Sequence, residues 1–364
     1  MKHLAQIVAL VVVALSLSCS NQTTMRDTEP IYTPRYAKGF SIERDKASRS
    51  KLLCIKNPWQ GAEGVIFYTE IDTLAPAKRI VVMSSSHAAM LDAVSCADRI
   101  VGLSGCQFIY SPTLCKAIAE GKISEVGYDS NFNFEKICTL NADIVLLYGV
   151  AGEAKGMTNK LDELRIPYIY IGDYLENDPL GKAEWVVALS YLCGVEEKGK
   201  EFFAGVEERY NALRNEQHCS AYKPRVMLNT PYRDTWFMPP MGSYIVRLIE
   251  DADGEYIYPQ NTTTTSKPIS LEEALVLASR ADFWLNMGQI NSLDELKAAA
   301  PRFVGVDAVK FTRVYNNTKR TNPSRGSDFW ESGSVRPDLI LKDLVQILHH
   351  EAKTEELYYY KKLE

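Results

Sequence analysis

The chain has 364 residues, of which 46% are hydrophobic and 24% are charged, a balance that is typical of a globular protein. The formal net charge of −5 provides no basic surface field, so no nucleic-acid partner is expected. The length is sufficient for two domains of ordinary size.

The first residues have the pattern of an export signal. Lys2 gives a short basic start, and the apolar run at 7–17 is shorter than the about 20 residues of a membrane-spanning helix. Ser18 and Cys19 follow, and then a polar stretch, which resembles a bacterial lipoprotein signal. This resemblance implies removal of residues 1–18, a lipid anchor on Cys19 and a position at the periplasmic face of a bacterial membrane. An ordinary cleaved secretion signal is the alternative.

The eight cysteines form no Cys-x-x-Cys pair, so the sequence carries no zinc or redox motif. If Cys19 is lipidated, seven thiols remain. Cys106 and Cys115 are close enough in sequence to bridge a short loop in an oxidising compartment. Three others have apolar neighbours and are expected to be buried: Cys96, Cys138 and Cys193.

The first half of the chain contains three successive segments with different sequence patterns. Residues 19–38 are polar and are interpreted as a lipid-anchored tether, and residues 39–75 alternate as short strands at the edge of a first lobe. A short apolar run at 79–83 then predicts a buried parallel strand, with a helix beginning near Ser84. Further strands at 99–103, 142–148 and 168–171 alternate with helical stretches, which is the rhythm of an α/β domain.

The second half repeats this rhythm after a helical region. Asp178 and Pro179 are a strong helix start, and a second apolar stripe predicts a long helix over 196–216. Strands at 225–228 and 284–287 and a closing helix at 338–349 follow. We therefore predict an α/β fold with two Rossmann-like lobes, 39–178 and 223–350, and a C-terminal tail at 351–364. The helical region 179–222 contains one long, rigid helix that joins the lobes, and the ligand cleft lies between them.

Glu135 and Glu272 occupy the same place in two similar units. Each unit has a loop, an acidic helix start, a short helix, Ala-Asp and an apolar strand, at 126–149 and 268–288. An acid in the first turn is favoured by the helix dipole alone, so the ordinary structural explanation stays open at this point. The duplication nevertheless suggests a two-lobed protein that presents one carboxylate from each lobe to a partner.

The candidate ligand residues lie in loops that follow predicted strands. His87 is at such a junction in the first lobe, where doubly wound folds bind ligands. Flat rings and guanidinium groups in the loops of the second lobe suit a large anionic ligand, and the candidates there are Arg233, Trp236, Arg325 and Trp330. The sequence contains no enzyme motif, so no catalytic residue, metal site or cofactor is expected.

The motif VGYDSNFNFEKICTLNADIVLLYG is similar to one found in the substrate-binding proteins of ABC importers for iron complexes and vitamin B12. This resemblance, over about 75–350, implies a non-enzymatic, monomeric protein that works with a permease and its ATPase. It also implies that Glu135 and Glu272 dock on permease arginines. Vitamin B12-binding members carry tryptophan where this chain has Asp129 and Ser266, which weakens cobalamin as the ligand and favours a ferric siderophore or heme.

Heme-binding members of this family use a tyrosine as the axial ligand of the iron. The resemblance therefore implies Tyr128, which lies in the quoted motif, as a candidate for that role. The expected ligand set is therefore His87, Tyr128, Asp129, Arg233, Trp236, Arg325 and Trp330. Three alternatives remain open. One is a cobalamin-binding protein of an ABC importer. The others are a metal-complex-binding lipoprotein without a permease and a lipid-anchored enzyme on the same scaffold.

Overall fold

An antiparallel sheet precedes the first lobe. The computed structural model describes residues 26–128, 131–150, 152–215, 222–350 and 353–364. The N-terminal sheet has the order β1-β2-β3-β4, with strands β1 Thr28–Tyr32, β2 Phe40–Asp45, β3 Lys51–Lys56 and β4 Ile66–Glu70. The prediction that the tether extends to residue 38 is therefore wrong, because β1 pairs with β2 along its length. Cys19 lies outside the described residues.

The first lobe is a parallel sheet with helices on its faces. Its strand order is β7-β6-β5-β8-β9, and the strands are β5 Ile80–Val82, β6 Ile100–Leu103, β7 Ser124–Glu125, β8 Ile144–Leu147 and β9 Tyr168–Tyr170. The strands are connected by helices α1 Ile71–Leu74, α2 Ser85–Ala93, α3 Pro112–Ala119, α4 Phe134–Thr139 and α5 Lys155–Glu163. All three residues of β5 are fully buried, as expected for a central parallel strand that is covered on both faces.

Two helices, rather than one, connect the lobes. In α6 (Pro179–Leu192) every residue except Lys182 is buried, and α7 (Glu196–Arg214) packs along it. The close approach requires Gly199, since a Cβ at that position would lie 2.2 Å from the hydroxyl of Ser190. The long helix that the sequence predicts at 196–216 corresponds to α7, but α6 is the element that packs against helices of both lobes.

The second lobe contains a five-stranded sheet of order β12-β10-β14-β15-β16 and a two-stranded ribbon, β11-β13. The strands are β10 Arg225–Leu228, β11 Thr235–Met238, β12 Glu255–Tyr256, β13 Lys267–Ser270, β14 Phe283–Leu285, β15 Val314–Asn316 and β16 Lys361–Lys362. The helices are α8 Tyr244–Asp251, α9 Leu271–Ala278, α10 Leu293–Ala299, α11 Asp307–Lys310 and α12 Pro337–His350. The expected tail at 351–364 is wrong as a separate unit, because β16 pairs with β15.

Three buried carboxylates hold the chain between β1 and β2 against α6 and α7. Glu184 accepts hydrogen bonds from the Tyr32 hydroxyl and from the main-chain N–H groups of residues 35, 36 and 37. Glu207 accepts from the side chains of Arg35 and Tyr36, and Glu176 accepts from the N–H groups of residues 38 and 39. We call Glu176, Glu184 and Glu207 the clamp.

One hydrophobic cluster runs from the N-terminal sheet through α6 into the second lobe, and a smaller cluster covers the other face of the first sheet. The fold class is therefore the predicted α/β arrangement of two Rossmann-like lobes. Within the described residues, no helix has both the length and the apolar character that crossing a membrane requires.

Candidate ligand cleft and docking surface

The carboxyl ends of the first-lobe strands carry an aromatic pair that faces the second lobe. The ring of Tyr128, after β7, lies 5.1 Å from the ring of Phe108, which belongs to the loop after β6. Gly105 makes this possible, since its backbone has a φ of +75° and a Cβ there would approach the Tyr128 ring to 3.0 Å. Tyr128 is 53% exposed, so one side of this pair remains accessible to a ligand.

A long loop from the second lobe reaches across to this pair. We call residues 317–331, which follow β15, the crossing loop. The amide of Asn322 donates to the carbonyl oxygens of Gln107 and Ile109, both at 2.9 Å. Gly326 packs directly on the main chain of Phe108, where a Cβ would lie only 1.8 Å from the carbonyl oxygen. The two lobes are therefore in contact at the crossing loop.

Glu331 completes this contact. Its carboxylate accepts hydrogen bonds from the N–H groups of Tyr110 (2.7 Å) and Ser111 (2.8 Å), just before α3. The side chain is buried, and burial raises the pKa of Glu331 to about 7, although the two N–H donors act in the opposite direction. A single carboxylate of the second lobe thus satisfies two main-chain donors of the first.

Cationic and aromatic groups accumulate at the same place. The guanidinium of Arg320 lies between the rings of Tyr110 and Tyr358, at 4.9 and 4.4 Å, and also pairs with Asp328. Trp330 is 55% exposed and follows Phe329, whose ring it contacts edge-on at 4.8 Å. Three predicted ligand residues therefore lie on or next to the segments that meet here. Tyr128 contacts Phe108, Arg325 precedes Gly326, and Trp330 precedes Glu331.

The prediction that Trp236 faces the cleft is wrong. Its ring is fully buried against Trp284 and Phe303, and its indole N–H donates to the carbonyl of Leu228 at 2.9 Å. The physical reason is strand alternation in β11, which directs Trp236 and Met238 inward and leaves Phe237 exposed.

Arg233 and Asp129 are placed differently. Arg233 is exposed at a turn before β11, where its guanidinium lies 5.4 Å from the ring centre of Tyr232. It is not among the groups that meet at the crossing loop. Asp129 lies outside the described residues.

His87 lies in the interior, so a ligand could not touch it in this conformation. Its Nε2 is 3.5 Å from the carboxylate of Asp173, and neither ring nitrogen has a hydrogen-bond partner within the described ranges. Lys182 lies 3.1 Å from the other carboxylate oxygen of Asp173. Burial opposes ionisation of Asp173, but Lys182 and His87 outweigh it and hold its pKa well below the usual value. Because Lys182 also contacts the ring of Tyr244, this buried group lies between the lobes.

The two candidate docking glutamates have matching positions. Glu135 is the second residue of α4, whose N-cap Asn133 accepts from the N–H of residue 136. Glu272 is the second residue of α9, whose N-cap Ser270 accepts from the N–H of residue 273. Both carboxylates are exposed, and that of Glu272 is paired with Arg302 at 3.0 Å, whereas within the described residues Glu135 has no such partner.

Sequence reasoning missed the residues that join the lobes, namely Tyr110, Arg320, Asn322 and Glu331. It selected Arg325 and Trp330 from the crossing loop by composition, yet nothing in the local pattern showed that this loop meets residues 107–111. Among the described residues, no group of three His, Cys, Asp or Glu side chains has the arrangement of metal ligands.

Comparison with known proteins identifies the family. The model of a family described as periplasmic binding protein matches residues 80–321, which excludes the N-terminal sheet. An uncharacterised lipoprotein of Methanocaldococcus jannaschii is 30% identical over 288 residues, which are 76% of this chain and 66% of that protein. The chain thus spans slightly less than two thirds of this relative.

Two solved structures share the fold. A periplasmic heme-binding protein of Pseudomonas aeruginosa has a TM-score of 0.61 at 16% identity, over 79% of this chain and 98% of that one. The periplasmic vitamin B12-binding protein BtuF of Vibrio cholerae has a TM-score of 0.54 at 18% identity, over 75% and 97%. Such identities establish the fold alone. Because the family model matches well over half of the sequence, the chain belongs to the periplasmic binding protein family.

Proposed function

We propose that this protein captures a ferric complex, a siderophore or heme, in the cleft and delivers it to the permease of an ABC importer. The observation that carries the proposal is the set of exposed aromatic and cationic side chains on both sides of the lobe contact. Tyr128 comes from one lobe, and Arg325 and Trp330 come from the other. A ligand held there contacts both lobes at once.

The chemistry of these side chains favours a large, rigid, anionic ligand. Trp330 and Tyr128 offer exposed rings on which a planar or aromatic ligand can stack. Arg325 supplies a guanidinium that can pair with a carboxylate or catecholate oxygen, a contact of about 1.5–3 kcal/mol. Cobalamin remains the principal competing ligand, and the likeness to BtuF is the observation that supports it.

Delivery is proposed to use Glu135 and Glu272, one on each lobe, as contacts for arginines of the permease. We further propose that Cys19 carries a lipid that retains the protein at the periplasmic face of the membrane. The description of the Methanocaldococcus relative as a lipoprotein supports this part.

Tryptophan-quenching titrations with heme, cobalamin and several ferric siderophores test the ligand. Arg325→Ala should weaken binding of the ferric ligand roughly 10- to 100-fold, because it removes a charge-assisted contact. Arg233→Ala is the matched control, since Arg233 is also an exposed arginine but belongs to the turn before β11, where it lies over the ring of Tyr232. Tight binding of cobalamin alone would reject the iron assignment. A loss of binding in the Arg233 variant only would move the site to the turn before β11.

A further inference from the structure

Two thiols of the first lobe and the connecting helices meet in the core. Cys96 lies just after α2, and Cys193 is the C-terminal cap of α6. Both are buried, at 1% and 0% exposure, and α2 packs directly against α6. They are separated by most of the first lobe in sequence, so no local spacing reveals the pair.

Arg99 is hydrogen-bonded to the main chain of both cysteines. Its N–H donates to the carbonyl of Cys96 at 3.1 Å, and its guanidinium donates to the carbonyl of Cys193 at 2.6 Å. A second bond from the same guanidinium reaches the carbonyl of Ala77 at 3.1 Å. One arginine therefore holds the backbones of both cysteines, and their side chains interact directly with each other.

This contact makes the two thiols unequal. The interaction with Cys193 lowers the pKa of Cys96 to about 7, although burial opposes this, whereas the pKa of Cys193 is raised.

Like Cys96 and Cys193, the other described cysteines are free in this structure, but their surroundings differ. Cys106 and Cys115, the expected bridge, are both free, and each thiol donates to a separate carbonyl, of Leu103 and Ile109. Cys138 is exposed, so the expectation that it is buried is wrong. Cys54 is buried in the N-terminal sheet.

We propose that Cys96 and Cys193 become joined by a disulfide after export. The oxidant is an extracytoplasmic protein disulfide. The Cys96 thiolate attacks one of its sulfurs, which forms a mixed disulfide and releases one oxidant thiolate. Cys193, on losing its proton, attacks the Cys96 sulfur and releases the second. Two electrons and two protons thus pass from the cysteine pair to the oxidant, which ends as a dithiol. Because both thiols are buried in the folded chain, the exchange takes place before folding is complete.

The bond would tie the first lobe to the point where α6 turns into α7. Gly194, with a φ of +63°, makes that turn immediately after Cys193. The long loop that the bond closes would restrict the unfolded chain strongly, so the stabilisation should be large for a single cross-link.

The test uses the mature chain from its own host, unfolded in the presence of an alkylating agent and digested for mass spectrometry. We expect a peptide pair that joins Cys96 to Cys193 and separates on reduction, with Cys54 alkylated. Full alkylation of Cys96 and Cys193, or a bond from either to another cysteine, would overturn the proposal.

A thermal measurement gives an independent readout. Reductant should lower the melting temperature of the wild type and of the buried-thiol control Cys54→Ser by roughly 5–10 °C. It should not affect Cys96→Ser or Cys193→Ser. Equal responses of all four proteins to reductant would also contradict the disulfide.

Discussion

The two lobes contain the same local unit, built with the same hydrogen bonds. In the first, Asp143 precedes β8, donates its N–H to the carbonyl of Arg79 at 2.8 Å and accepts from the N–H of Arg79 at 2.9 Å. In the second, Asp282 precedes β14 and makes the same two bonds with Arg225, at 2.8 and 2.7 Å. The duplicated sequence signature therefore corresponds to a duplicated backbone.

The side chains outside this unit break the symmetry. Glu272 is paired with Arg302, whereas Glu135 makes no hydrogen bond or ion pair with any residue that the structure describes. The cross-lobe bonds of Asn322 and Glu331 likewise come from the second lobe alone. The repeated local sequence thus determines the matching helix starts. Whether each glutamate has an ion-pair partner depends instead on residues far away in the sequence.

Removing both glutamates tests whether the matched positions act together. Glu135→Ala with Glu272→Ala should reduce transport by about 100-fold or more and leave ligand affinity within about twofold, because exposed charges at an interface govern association and orientation. Uptake of the labelled ligand by whole cells, beside equilibrium titration of the purified protein, measures both quantities.

Glu273→Ala is the matched control, since this exposed acid lies in the same turn of α9. Normal uptake by the double variant would remove the docking role from both residues.

The second test concerns the carboxylate that joins the lobes. The raised pKa of Glu331 means that the unfolded chain gives up this proton at lower pH than the folded one. The protonated Glu331 carboxyl therefore contributes its full stabilisation below about pH 4.5, and this contribution to the free energy of unfolding is lost as the pH rises through about 7. At 1.36 kcal/mol per unit, the loss amounts to roughly 3 kcal/mol.

Urea denaturation between pH 5 and 8 measures this effect. The stability of the wild type and of a Glu135→Gln control should fall across that range, and Glu331→Gln, which cannot ionise, should lack this part of the slope. An identical pH dependence for all three proteins would show that the carboxyl of Glu331 does not titrate in this window.

The smallest expected effect comes from the ion pair that Glu272 makes with Arg302. Arg302 competes with a permease arginine for Glu272, so Arg302→Ala should increase permease association about two- to fivefold, the size expected for an exposed ion pair. Surface plasmon resonance with the permease–ATPase complex in nanodiscs measures the change. Lys297→Ala removes a comparable exposed pair with Asp294 and should have no effect. Weaker association of the Arg302 variant would mean that Arg302 itself contacts the permease.

Elements with a strong local period were predictable. The helix that begins at Asp178 and ends before Gly194, and the long helix from 196, follow from a cap, a proline and an apolar stripe. The burial of Trp236 follows from the alternation in Thr235–Met238, whereas the aromatic composition of this segment alone favours exposure to a ligand.

Contacts between segments that are far apart in the sequence were not predictable, because no local pattern indicates them. Residues 32–39 belong to the folded protein and not to a tether, because their donors bind the clamp, whose residues lie about 140–170 positions later, on α6, α7 and the turn before them. The pairing of Asn322 with residues 107 and 109 and the meeting of Cys96 with Cys193 depend equally on tertiary packing. For the site, sequence reasoning therefore identified suitable side-chain types, and the fold selected which of them meet.

If Cys19 carries the proposed lipid, the clamp also limits how far the protein can move from the membrane. Asp27 is bonded to Lys46, Arg26 is paired with Asp45 and Glu70, and the chain from residue 28 onward is held in β1 and on the connecting helices. At most the six residues 20–25 would therefore separate a lipid on Cys19 from the folded protein. Six fully extended residues span only about 20 Å. A binding protein attached so closely would search only a small volume above the membrane, which would raise its local concentration near a membrane-embedded permease. Weak docking contacts would then be sufficient, and rapid release after delivery would follow from the same weakness.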